Sequence, residues 1–165
     1  MRALGIDPGL SVTGYAVVER IDGRLHPLVA GAIHTPAGDP PEARLAELRS
    51  SLIALIAEQR PDTAAVERLF FNANVRTAMS VGQAAGVALE AAASSRLSVS
   101  DYTPTEVKQS VVGVGNAPKQ QVQAMVARVL GLASPPLPAD AADACALAIC
   151  HLNRSRLMTA IEAAK

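Results

Sequence analysis

Apolar and polar positions along the chain change period several times, and each change marks an element. Residues 2–6, Arg-Ala-Leu-Gly-Ile, form a short apolar run that ends at Asp7-Pro8-Gly9. Residues 12–20, VTGYAVVER, and 25–34, LHPLVAGAIH, are β-rich runs with Gly23 supplying the turn between them. Together they predict an antiparallel meander. Pro27 lacks a backbone donor, so it belongs at a sheet edge or near a strand start. Apolar residues at 45, 48, 52, 55 and 56 recur with helical spacing over 41–60, and Pro61 stops that helix. Residues 63–67, TAAVE, predict a short buried strand ending in Glu67.

The second half continues the alternation. Residues 74–93 have helical periodicity and small side chains, with Gly82 and Gly86 inside them. That spacing permits close helix approach, either within the domain or between two subunits. A strand is predicted over 97–101 and a short helix over 104–111, with Thr103 as N-cap and Pro104 in its first turn. VGVGNAP is a loop. A helix follows over 118–130, starting near Asn116 or Ala117 and ended by Gly131. After the stiff SPPLP linker, residues 139–152 predict a final helix. The expected architecture is a mixed α/β sheet flanked by helices. One domain spans 1–152, and 153–165 form a helical extension or tail.

Composition narrows this picture. Half of the 165 residues are hydrophobic but only four are aromatic, so the core is aliphatic and an exposed aromatic would stand out. Lysine plus arginine equals aspartate plus glutamate at 15 each, which speaks weakly against a nucleic-acid binder. Two bound divalent cations would carry the loaded chain to about +4 and soften that objection. Cys145 and Cys150 lie in no ligand motif and read as reduced, buried thiols of a cytoplasmic protein. No stretch is apolar for long enough to span a bilayer.

The acids carry the candidate chemistry. Asp7 and Glu67 each end a predicted strand, where functional groups of α/β sheets gather. Asp7-Pro8-Gly9 is also a common turn string, so Asp7 alone has a plain structural explanation. Asp140 and Asp143 share one helix face with no base beside them. Capping accounts for one of them, whereas a divalent cation between them accounts for both. Hard cations take such oxygen ligands, and a pair of them can clamp a phosphodiester. His26, His34 and His151 are scattered and form no zinc string. On an ideal helix His151 points about 80° away from Asp143. No serine lies in a nucleophile motif. Lys119 opens a helix after a glycine-bearing loop and suits a phosphate contact or simple solvation. Arg68 and Arg76 flank the Glu67 region and could reach a nucleic-acid backbone. Phe70 either caps the core or stacks on a base.

GIDPGLSVTGYAVV, AAVERLFF, VKQSVVGVGNAPKQQVQAMV and ADAADACALAI together resemble the RuvC family of Holliday junction resolvases over about residues 2–152. The resemblance implies a ribonuclease-H-like fold whose five-stranded mixed sheet has its first three strands antiparallel. It implies metal ligation by Asp7, Glu67, Asp140 and Asp143, with two Mg²⁺ or Mn²⁺ ions per site. Phe70 would meet DNA near the crossover, and Lys108 and Lys119 would serve DNA contact and catalysis. A homodimer would nick two opposing strands of a four-way junction, leaving 5′-phosphate and 3′-hydroxyl ends, in partnership with a branch-migration motor complex. Two other readings remain at this level. One is an ATPase or sugar-kinase-like module, since IDPGLSVTG could hold phosphate. The other is a catalytically inactive junction-binding dimer.

Overall fold

The structure, a computed structural model, describes residues 1–68 and 75–163, with the side chains of 75–77, 156 and 158–163 left aside. Phe70 lies outside the described residues, and so does the side chain of Arg76. In chain order the elements are β1 (Arg2–Asp7), β2 (Val12–Ile21), β3 (Arg24–His34), α1 (Pro41–Gln59) and β4 (Thr63–Glu67). They continue with α2 (Val75–Ser94), β5 (Ser98–Tyr102), α3 (Pro104–Val112), α4 (Lys119–Val129) and α5 (Ala139–Ala163). The strands form one sheet in the order β3-β2-β1-β4-β5. β1, β2 and β3 pair antiparallel, while β1–β4 and β4–β5 are parallel. This is the five-stranded mixed sheet that the family resemblance implies.

Most predicted boundaries shift by one residue, as helix and strand ends commonly do. Thr103 caps α3 through a full capping box: its side chain accepts from the Glu106 amide, and the Glu106 carboxylate accepts from the Thr103 amide. α4 starts after Pro118, just past Asn116 and Ala117, with no side-chain cap. α5 does not stop at 152 but runs on to Ala163. Pro27 sits on the edge strand β3 beside a bulge, where the register steps from Val17↔Val29 to Val18↔Pro27.

Strand alternation sorts the core into two layers. Leu4, Ile6, Val17, Ala64 and Val66 pack against α1 and α2. Ala3, Ala16, Val18 and Ala65 face the opposite side, with α3, α4 and α5. By the same alternation Gly5, Asp7, Thr63 and Glu67 also point to the α5 side. From Ala144 to Leu152, α5 is buried all round, sandwiched between the sheet and α3 with α4. Ala84, Ala88, Ala91 and Ala92 turn inward from α2. Gly86 is exposed, and a Cβ there would meet nothing, so it forms no seam within the chain.

Two strand glycines set how closely α5 approaches. A Cβ on Gly5 would lie 2.1 Å from the Ala144 carbonyl oxygen and 2.9 Å from the Ala148 amide nitrogen. A Cβ on Gly14 would lie 2.1 Å from the Asp140 carbonyl oxygen. Helix backbone therefore rests directly on strand backbone. Gly5→Ala cannot be absorbed by a side-chain rotation, because the obstacle is main chain. It should cost about 3 kcal/mol, the upper end for overpacking, read as a lower midpoint in urea denaturation. An unchanged midpoint would show that α5 is not seated this closely.

Candidate active site

The first two acids arrive by strand geometry. β1 and β4 are parallel neighbours, so Asp7 and Glu67 emerge from the same end of the sheet, on the same face. The chain turns immediately after Asp7. Thr13, fully buried, ties the turn by donating to the Gly9 carbonyl at 2.7 Å and accepting from the Gly9 amide at 3.3 Å. Farther out, Arg44 from α1 donates to Ser11 Oγ at 2.7 Å and to Thr35 Oγ1 at 3.0 Å, and Thr35 in turn donates to the Leu10 carbonyl. These bonds fix residues 9–13 and the direction in which Asp7 leaves β1.

The other two acids arrive by helix packing. Asp7 is the register partner of Gly14, and Gly14 is the seat of Asp140. Asp140 is thereby set beside Asp7. Asp143 lies one turn further along α5, on the same face. All four carboxylates line one cavity of about 390 Å³ with Lys108, Lys119 and an apolar floor that includes Val107 and Leu147. Lys119 Nζ donates to Asp143 Oδ2 at 2.5 Å.

Burial and like charge act together here. Asp7 is pushed up to about 7, first by burial and then by Glu67, Asp143 and Asp140, with Lys119 pulling the other way. Glu67 is raised by burial and then by Asp143, and Lys119 and Lys108 oppose this. The hydrogen bond to Asp143 raises Lys119. Among the described residues, no three His, Cys, Asp or Glu side chains close into a ready-made metal cage. Four crowded carboxylates nevertheless outnumber the two ammonium groups, Lys108 and Lys119, that line the cavity with them. An acidic, oxygen-only donor set with room for water suits a hard divalent cation.

The remaining candidates separate clearly. Lys119 and Lys108 join the acids, Lys119 as the direct partner of Asp143. Arg68 does not point into the cavity. It is spent on a two-bond ion pair with Asp101 at 2.6 and 3.0 Å. His26 and His34 are exposed, and His151 is buried away from the acids. Cys145 and Cys150 are free and buried, and burial pushes the Cys145 thiol up to about 12. Gly5, Gly14, Thr13 and Arg44 were not singled out from the sequence, although glycine inside a strand is a known mark of close backbone approach.

Comparison with known proteins decides the family. Residues 3–151 match the family model described as "Crossover junction endodeoxyribonuclease RuvC". The chain belongs to the RuvC family. It is 56% identical over 151 residues to the RuvC of Chloroflexus aggregans, covering 92% of each chain. It is 53% identical to that of Moorella thermoacetica, covering 93% of this chain and 92% of the relative. Its fold matches Thermus thermophilus RuvC in complex with Holliday junction substrate, with a TM-score of 0.91, 34% identity and coverage of 96% and 97%. RuvC nucleases generally depend on divalent metal ions. No described helix is long and apolar enough to cross a membrane.

The raised Asp7 gives a pH signature. Between the ordinary value of 3.8 and about 7, the folded chain holds a proton that the unfolded chain has released. Stability without metal therefore falls as pH rises through that window. In EDTA at pH 8, Asp7→Asn should melt several degrees above the unsubstituted chain, with the gap closing near pH 4. Equal melting temperatures at both pH values would contradict the crowding of these acids.

Proposed function

We propose that this chain is a divalent-metal-dependent endonuclease that resolves four-way DNA junctions by paired nicks. The observation that carries this reading is the convergence of Asp7, Glu67, Asp140 and Asp143 from two strands and a helix into one cavity. Family membership supplies the substrate class. Asp7, Glu67, Asp140 and Asp143 would hold two Mg²⁺ or Mn²⁺ ions. Bound there, the ions supply an activated water and charge stabilisation at the leaving 3′ oxygen, so that cleavage leaves 5′-phosphate and 3′-hydroxyl ends. The chain's own residues do the rest. Asp7 and Glu67, both raised by burial, would be favoured in their ionised forms with a cation bound beside them. Lys119, paired with Asp143 in the structure, would be available to a phosphate oxygen where a cation takes its place at that carboxylate. Lys108, on the rim, contributes a second positive charge to the DNA backbone. Phe70 and Arg76 would contact DNA outside the described residues.

A four-way junction presents two equivalent strands, and a twofold homodimer presents two equivalent sites. The outward side of α2 suits that interface, with Met79 and Leu89 exposed around the open surface at Gly86. A branch-migration motor complex as partner, a cytoplasmic location and a single nuclease domain over 1–152 belong to the same proposal. No observation favours a phosphate-binding ATPase module: the two hydroxyls such a loop would offer to phosphate are already engaged, Thr13 donating to the chain's own Gly9 carbonyl and Ser11 accepting from Arg44.

Cleavage of a labelled four-way junction, compared with linear duplex and single strand and with or without Mg²⁺ or Mn²⁺, tests the reading. Paired cuts confined to the junction and dependent on metal are expected. Asp7→Asn should lose at least 100-fold in cleavage, on the scale of removing one electrostatic catalytic group, while still binding the junction. Cleavage retained in that variant, or ATP hydrolysis with no junction cleavage, would overturn it. Phe70→Ala should slow cutting more than it lowers the melting temperature. Normal turnover in that variant would return Phe70 to a packing role.

A further inference from the structure

Eight residues beyond Asp143, α5 carries a buried histidine that no step above uses. His151 Nε2 lies 3.0 Å from Thr63 Oγ1, and its Nδ1 lies 2.7 Å from the Tyr102 hydroxyl. The proton positions follow from the partners. Thr63 donates its one proton to the Ser98 carbonyl, which can only accept. The Ser98 hydroxyl donates to Thr63 Oγ1 at 3.1 Å. Thr63 can therefore only accept from His151, which places the imidazole proton on Nε2. Neutral Nδ1 then accepts from the Tyr102 hydroxyl. Burial, which lowers the histidine, favours the same neutral form. Each partner has one role, so the bonds fix the height and rotation of α5 over β4 and β5.

The geometry of that anchor matches the acid cluster. Thr63 and Glu67 lie on β4 with side chains to the same face, four residues and about 13 Å apart. His151 and Asp143 lie on α5 eight residues and about 12 Å apart. α5 runs antiparallel to β4, because its N-terminus stands at the end of β4 that bears Glu67. Helix and strand thus form a frame with near-equal sides. One end is closed by His151–Thr63. The other end holds Asp143 opposite Glu67. A second tie sits beside the first: Arg154 pairs with Glu106 at 2.8 Å and lies over the Tyr102 ring at 5.3 Å, joining α5 to α3, which carries Lys108.

We infer that His151, held by Thr63 and Tyr102, is a positioning residue that sets the spacing between the helix-borne and strand-borne acids, and through it the fit of the divalent cations. The inference rests on the metal reading above. His151 touches neither ion nor DNA in this scheme and acts through the placement of Asp140 and Asp143. Mg²⁺ demands a near-ideal octahedron at short oxygen distances, whereas Mn²⁺ accepts the same oxygen ligands with looser geometry. A misplaced helix should therefore injure Mg²⁺ use more than Mn²⁺ use.

The test uses the full chain with Thr63→Val and Tyr102→Phe, which keep shape and remove single hydroxyls, and with His151→Phe. Mn²⁺ affinity is measured by calorimetry without DNA. The Mg²⁺ and Mn²⁺ concentrations for half-maximal junction cleavage are measured separately, together with metal-free junction binding and melting temperature. Thr63→Val and Tyr102→Phe should each weaken Mn²⁺ binding roughly 3- to 10-fold, at or below the range for outer partners of metal ligands. Their half-maximal Mg²⁺ concentration should rise more than that for Mn²⁺, with metal-free junction binding unchanged. Lower melting temperatures with unaltered Mn²⁺ affinity and an unaltered Mg²⁺ requirement would make the anchor merely structural and overturn the inference. His151→Phe should show a larger shift than either hydroxyl deletion, and if it does not fold the two milder variants decide. An unsubstituted chain that takes up no Mn²⁺ would overturn the metal reading itself. An unsubstituted chain that binds Mn²⁺ no better than the folded variants would overturn this inference alone.

Discussion

Main chain on main chain is the contact from which the rest of this molecule follows. The carbonyls of Ala144 and Asp140 occupy the space where strand side chains would stand at Gly5 and Gly14. Only glycine leaves that space, and the small residues around it on α5 allow the helix to be enclosed on every side. The gain is positional. A helix cushioned by long side chains could slide and rotate by fractions of an ångström. One that bears on the sheet backbone has a fixed height, and its first two turns deliver two carboxylates to the end of β1 and β4.

That placement opposes the stability of the isolated chain. Bringing Asp7, Glu67, Asp140 and Asp143 around one cavity desolvates negative charge and sets like charges against one another. The fold supports this through features elsewhere: the Thr13 and Arg44 bonds about the turn, the capping box of α3, and the aliphatic layers on both sides of the sheet. Lys119 relieves part of the strain. Its ammonium group holds Asp143 by a single ion pair and so offsets part of the negative charge that the fold gathers there.

The sequence was informative where the physics is local. Short apolar runs, helical spacing and turn residues located the ten elements of the described residues, Thr103 announced its helix, and strand ends pointed to Asp7 and Glu67. The pair Asp140 and Asp143 was visible because nothing basic stood nearby to excuse it. What escaped was long-range. No pattern told that Gly5 and Gly14 would each receive a helix backbone, that Arg44 would be buried to hold a loop from another strand, or that His151 would meet Thr63, 88 residues away. The ion pair of Arg68 was hidden for the same reason: its partner, Asp101, is 33 residues distant and across a strand pair. Such relations depend on which strands lie side by side, which local spacing does not encode. The resemblance carried part of that topology, the antiparallel pairing of the first three strands, and the structure agrees with it.

One rim of the sheet has a bearing on assembly. β3 forms an outer boundary, and it carries a proline and an extra residue opposite Val17–Val18. Both interrupt the row of donors and acceptors that an incoming strand would need. At the far boundary β5 is only five residues long, and Asp101 on it is engaged by Arg68. Neither margin invites lateral growth of the sheet into ribbons. Strand-to-strand pairing is therefore disfavoured at both margins, and an incoming molecule would meet helix side chains rather than a free row of backbone donors and acceptors.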